Sequence, residues 1–162
     1  MKLKLLRIAI VITVCLLPSL CFSQQPNPKI WKPLEYNSYY NVKIINTAAD
    51  TKLVWIYKTV ANDVRKKRML EIKKYDPERA ARYGQYHHEV ILWEIDCKRK
   101  IWRPKDIIDF DNYEIVLDRY RYNDSEWDSV APNSIGELLY QNICPAQKSL
   151  GQKKHKQKKK KR

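Results

Sequence analysis

Several sets of side chains in this 162-residue sequence could do chemistry. Cys97 and Cys144 could form a disulfide or act as separate thiols. His87 and His88 adjoin Glu89, Asp96 and Cys97, which together resemble a metal-ligand set. Asp106, Asp109, Asp111 and Asp118 offer carboxylates that could hold calcium. Ser134 is a potential nucleophile. Most of these readings fail on spacing. Adjacent histidines on a strand point to opposite faces and cannot easily share one ion, and their spacing to Cys97 fits no usual zinc pattern. The aspartates lack the ligand spacing of a calcium loop and read as solvated strand ends. Ser134-Ile135-Gly136-Glu137 is a capping box, so the Ser134 hydroxyl is engaged by a helix terminus. With three glycines in the whole chain, glycine-rich phosphate loops and dinucleotide fingerprints are excluded. No catalytic residue, metal ligand or cofactor is assigned, and an enzyme is not expected.

The ends of the chain bound its setting. Lys2, Lys4 and Arg7 precede an apolar run from Ile8 to Leu17 broken only by Thr13. Small residues then surround the junction between Ser23 and Gln24. This is the pattern of a secretory signal over residues 1–23, cleaved before Gln24. The run is short for a membrane span of roughly 20 residues and meets Pro18. Cys21 would be the acylated residue of a lipoprotein, but the bulky Leu20 before it disfavours that route. The protein is therefore expected in the periplasm, on the outer surface or secreted.

The net charge of +14 is unevenly distributed. Removing three charges of the leader and nine of residues 148–162 leaves about +2 on residues 24–147, which hold all eighteen acids. The tail cations are Lys148, Lys153, Lys154, Lys156, Lys158, Lys159, Lys160, Lys161 and Arg162. A lysine run without apolar residues cannot offset its ordering entropy and is expected to be disordered. Its chemistry suits acidic lipid, lipopolysaccharide or sulfated glycan, whereas export disfavours nucleic acid. A polyanion-binding envelope protein is accordingly the alternative function. Arg65-Lys66-Lys67-Arg68 reads as a solvated basic face.

The intervening residues suit one domain. Strands are expected over 39–45, 52–60, 88–97, 101–110 and 113–122, on their β-branched and aromatic content and intervening turns. Residues from 61 onward read as an exposed helix or long loop. Asp76-Pro77 starts a short helix that Gly84 ends. A last helix from the capping box to Ile143 places Ile135, Leu138, Leu139 and Ile143 on one stripe that should lie on the sheet. The fold class is α+β, a small antiparallel sheet of about five strands with a C-terminal helix packed on it. Export and the even count favour a Cys97–Cys144 disulfide over two buried thiols. Closing a loop of about 47 residues, it would stabilise the fold by about 4 kcal/mol.

Read in order, Tyr39-Tyr40-Asn41, Val54-Trp55-Ile56, Glu94-Ile95-Asp96-Cys97 with Arg99 and Arg103, then Trp127, Val130, Pro132, Ser134 to Glu137 and Cys144, resemble the bacterial surface-adhesin protein E family. The resemblance runs from Trp31 to Cys144. Asn41 stands where the family pattern has an aspartate, residues 61–85 are longer and more basic, and the lysine tail has no counterpart. It implies a small antiparallel sheet with a packed helix, a surface or periplasmic location, and binding of host or envelope proteins.

Overall fold

The computed structural model describes residues 26–48 and 50–144. The expected signal with its Ser23–Gln24 junction, Cys21 and the lysine-rich residues 148–162 lie outside the described residues. One antiparallel sheet contains β1 (Trp31–Pro33), β2 (Ser38–Asn41), β3 (Ile45–Asn46), β4 (Thr51–Thr59), β5 (Tyr86–Asp96), β6 (Ile101–Asp111), β7 (Val116–Arg121) and β8 (Asp128–Ser129). The helices are α1 (Asn62–Lys73), α2 (Pro77–Arg82), which runs into a 3-10 turn over Tyr83–Gln85, and α3 (Ile135–Ile143). The order across the sheet is β1-β2-β4-β5-β6-β7, with β3 on the edge of β4 and β8 on the edge of β6. This is the expected α+β class. Four of the five expected strands are present as β4, β5, β6 and β7, the one expected over 39–45 is split between β2 and β3, and β1 and β8 add short pieces at the margins.

Each departure from expectation has a local cause. The strand expected over 39–45 is interrupted because the Lys43 amide donates to Asn41 Oδ1 at 2.8 Å. That side-chain turn diverts the backbone from the ladder before β3 resumes it. Residues 62–73 form a helix rather than a loop. Ile72 is buried on its inner side and Met69 packs against the same cluster. Gly84 does not end α2 in a left-handed cap. It lies within the 3-10 turn, and no described glycine has positive φ. Asp76 does cap α2, accepting from the Arg79 amide at 2.9 Å with Pro77 at the first helical position.

The register assigns each face of the sheet. Residues of β4 and β5 pair without interruption from Thr51↔Asp96 to Thr59↔His88. Val54, Ile56 and Lys58 therefore share a face with Glu89, Ile91, Trp93 and Ile95. One end of this face is covered by α3: Leu139 and Ile143 join Val54, Ile56, Trp93, Ile95 and Tyr40 in one core. Burying two such aliphatic side chains contributes about 1.5–3 kcal/mol each. The other end is covered by α1, α2 and the 3-10 turn, whose Ile72, Ala80 and Tyr83 pack with Val60, Tyr86 and Leu117. All three helices thus lie on one face.

The C-terminal helix is fixed at both ends. Ser134 Oγ accepts from the Glu137 amide at 3.2 Å, and Glu137 reaches back to the Asn133 amide at 2.9 Å. At its other end Cys144 is bonded to Cys97, with their Cα atoms 5.5 Å apart. Tyr140 adds a hydroxyl donated to the Cys97 carbonyl at 2.9 Å. The bond joins the end of β5 to the end of α3.

Candidate functional site

Two features of this frame can bind something. The first is the face without helices. Along it run Trp55, Tyr57, Val90, Leu92, Ile108 and Phe110, placed there by the pairs Trp55↔Leu92, Tyr57↔Val90 and Val90↔Ile108. Most are half-buried although no helix covers them. At one end an aromatic row forms: Trp31 meets Tyr57 edge-on at 5.6 Å, His88 stacks on Tyr57 at 4.4 Å, and Phe110 stacks on His88 at 4.8 Å.

His88 is therefore a stacked core residue, only 1% exposed. Burial, reinforced by neighbouring His87, lowers its pKa to about 4 and keeps the ring neutral. A ring nitrogen of His87 lies 3.2 Å from one of His88. Among the described residues no group of three or more His, Cys, Asp or Glu side chains is arranged to hold a metal ion.

The second feature is a cleft of about 540 Å3 between α1 and the sheet. Lys58, Glu89, Ile107 and Asp109 contribute from the strands, and Lys67, Arg68 and Glu71 from α1. From its Tyr86, Glu89 and Asp109 lining a chain of carboxyls and phenols runs on to Tyr83 and Asp118. Tyr83 Oη lies 2.6 Å from Asp109 Oδ2 and also 2.6 Å from Asp118 Oδ2. Tyr86 Oη lies 3.1 Å from Asp109 Oδ1 and 3.3 Å from Glu89 Oε2.

A phenol has one proton and can donate to only one of two carboxylates. The second 2.6 Å contact of Tyr83 therefore needs a proton supplied by a carboxylic acid. Asp118 Oδ2 accepts from Arg79 Nε at 2.8 Å. Asp109 is 1% exposed, and burial raises its pKa above the usual carboxylate range. Of the two carboxyls Asp109 is the one whose burial favours the protonated form, in which it would donate to Tyr83 while Tyr83 donates to Asp118. Arg68 Nη2 lies 3.7 Å from Asp109 Oδ2.

These contacts correct the reading of the aspartates as solvated strand ends. Asp106 pairs across the sheet with Arg119 and is 6% exposed. Asp111 Oδ1 accepts from the amides of Tyr113 and Ile115, both at 2.8 Å, and so builds the turn between β6 and β7. The basic run is also only partly a wet face. Arg65 donates to the Tyr86 carbonyl at 2.7 Å, and Arg68 packs over the Tyr120 ring. Apart from the local Asp111 turn, pairing across long sequence separations hid these roles, since no local pattern in the chain marks them.

The model of the surface-adhesin protein E family matches residues 31–145. The chain belongs to the surface-adhesin protein E family. No curated protein and no solved structure matches it. The motif residues of the family largely build the frame. Arg103 pairs with Glu94 at 2.7 Å and Arg99 with Asp96 at 2.7 Å. Both guanidiniums lie over Trp127, at 5.2 Å for Arg99 and 4.4 Å for Arg103. They clamp the loop before β8 to the sheet. Val130 is buried, and Gly136 lies against the stacked pair Trp93 and Trp102. In this surface-adhesin E domain Cys97 and Cys144 are structural. The candidate polyanion residues Lys153, Lys154, Lys156, Lys158, Lys159, Lys160, Lys161 and Arg162 lie outside the described residues. No helix among the described residues is long and apolar enough to cross a membrane.

Proposed function

We propose that the protein is an exported, non-enzymatic binding module that engages a host or envelope protein through the helix-free face of its sheet. Membership in a surface-adhesin family supports a binding role at the cell surface. The observation that carries the choice of face is the row Trp55, Tyr57, Leu92, Ile108 and Phe110. These large apolar side chains lie on the sheet face that the helices leave open. Aromatic and aliphatic anchors on a rigid sheet are the usual centre of a protein interface. The polar groups with catalytic potential have other employment. Ser134 caps a helix, both cysteines are bonded, and His88 is stacked.

Binding of the exported chain to a panel of immobilised matrix and envelope proteins tests this. Saturable binding to one of them, weakened at least about tenfold by Leu92→Glu and by Val90→Arg, is the expected result. Folding of each variant is checked by its thermal transition. Absence of saturable binding, or binding indifferent to both substitutions, refutes the reading.

A further inference from the structure

Where the aromatic row ends the helix-free face there is a smaller recess, of about 260 Å3. It is bounded by Trp31, Tyr57, His88, Val90, Phe110 and Glu114, together with Pro26 and Asn27 of the segment before β1. That volume is below the usual range of small-molecule sites, roughly 300–1,000 Å3, and suits one long side chain. Its chemistry is one-sided. In the cleft beneath α1 three lysine and arginine side chains face three acids. Here Glu114 is the one acid, and no lysine or arginine lines the recess among the described residues.

The charge of Glu114 has no counter-charge at neutral pH. Its one ion-pair neighbour among the described residues is His88, whose Nε2 lies 3.5 Å from Glu114 Oε2. A histidine at its ordinary pKa near 6.5 is already mostly neutral at pH 7, and His88 is closed between the stacked rings of Tyr57 and Phe110. Glu114 is also presented outward. It sits in the turn between β6 and β7 that Asp111 builds, and its side chain is 72% exposed. Its chain neighbours Tyr113 and Ile115 are exposed as well. They give the recess an apolar rim of the kind that excludes water around an anchor residue. An ammonium or guanidinium is attracted to the faces of aromatic rings and pairs with a carboxylate, so both parts of the lining select a cation. An acidic side chain would be repelled by Glu114, and an aliphatic one would cover it without pairing it.

We propose that the partner bound by the helix-free face, a reading on which this inference rests, inserts a lysine or arginine side chain into this recess. Its charged head pairs with Glu114 and its stem lies along Trp31 and Phe110.

Titration of the isotopically labelled exported chain with end-blocked Gly-Arg-Gly, Gly-Lys-Gly and the uncharged Gly-citrulline-Gly tests the recess, read from the NMR signals of the Trp31 indole and the Phe110 ring. A basic peptide should shift both signals saturably and bind at least about tenfold more tightly than the citrulline peptide, a difference near 1.4 kcal/mol. Binding of arginine alone identifies a seat for the planar guanidinium, and binding of both identifies a seat for charge; either supports the recess. Glu114→Gln, a same-sized change at an exposed side chain, should reduce the preference several-fold. The peptides carry no partner surface, so the recess is tested whether or not the panel yields a partner. Peptide binding with no partner in the panel counts against the face reading and for the recess. A panel protein weakened by Leu92→Glu but untouched by Glu114→Gln sinks the recess alone. No saturable shift, equal binding of the arginine and citrulline peptides, a preference undiminished in Glu114→Gln, shifts confined to Tyr120 and Tyr122 of the other cleft, or tighter binding of choline than of either basic peptide overturns the proposal.

Discussion

Replacing Asp109 with asparagine distinguishes a buried carboxylic acid from a buried carboxylate. An amide can donate to Tyr83 as the acid does, and it carries no charge. If Asp109 is neutral, the variant should stay within about 1 kcal/mol of the wild type at pH 4, the scale of one exchanged hydrogen bond. If Asp109 were instead the anionic partner of Arg68, removing it would break a buried ion pair and cost about 3–5 kcal/mol. The pH dependence adds a second test. An unfolded aspartate titrates near 3.9, and burial raises the folded value. Between those two values the folded state holds the extra proton, so this group's stabilisation is complete below the lower value and is lost as pH rises. The slope approaches about 1.4 kcal/mol per pH unit. His88 acts in the opposite sense. Its folded pKa of about 4 lies below its unfolded value, so the unfolded state binds the extra proton and stability rises with pH from about 4 to about 6.5. That contribution is common to both proteins and cancels in their difference. Urea unfolding followed by tryptophan fluorescence at pH 4, 5, 6 and 7 provides the comparison. The variant should gain on the wild type as pH rises. A variant that falls further behind toward pH 7, by about 3 kcal/mol or more, refutes the proton assignment.

Two further predictions concern the frame. Converting both Cys97 and Cys144 to serine opens a loop of 47 residues and should lower stability by about 4 kcal/mol, read from the shift in urea midpoint at constant slope. A loss below about 1 kcal/mol would show that α3 docks without the bond. Gly136→Ala should be tolerated or mildly stabilising, within about 1 kcal/mol. Its new methyl would meet Ser134 Oγ at 3.4 Å and Trp93 Cζ3 at 3.7 Å, ordinary contacts in a helix. A drop in melting temperature of several degrees would instead show that Trp93 cannot yield.

The parts of this fold written in local pattern could be read from the chain. The long strands alternate, Ser134 and Glu137 sit at capping distance, and Asp76-Pro77 announces a helix start. The cysteine pair followed from export and even count. The unreadable parts depend on contacts across the sheet. Nothing near Asp109 in sequence says that Tyr83 and Tyr86, 26 and 23 residues away, will meet it. α1 could be read only as one of two alternatives, an exposed helix or a loop, because its charged surface carries only a weak apolar stripe. It is held by Ile72, Met69 and the distant Tyr86 carbonyl. The Asn41 turn shows the converse case. One side-chain acceptor two residues before an amide was enough to split a strand whose composition favoured continuity.

The Cys97–Cys144 bond has a mechanical consequence for the proposed role of binding a partner at the cell surface. Tension entering through the N-terminal side and leaving beyond Cys144 crosses the sulfur bridge, not the 47-residue loop it closes. At roughly 3.3–3.6 Å per extended residue, about 160 Å of chain cannot be drawn out while the bond is intact. β6, β7, β8 and α3 all lie inside that loop. Only the elements up to β5 can lengthen under load, so shear would first peel β1 and β2 from β4. In a reducing medium the withheld length is released, and the same pull would unravel the whole domain.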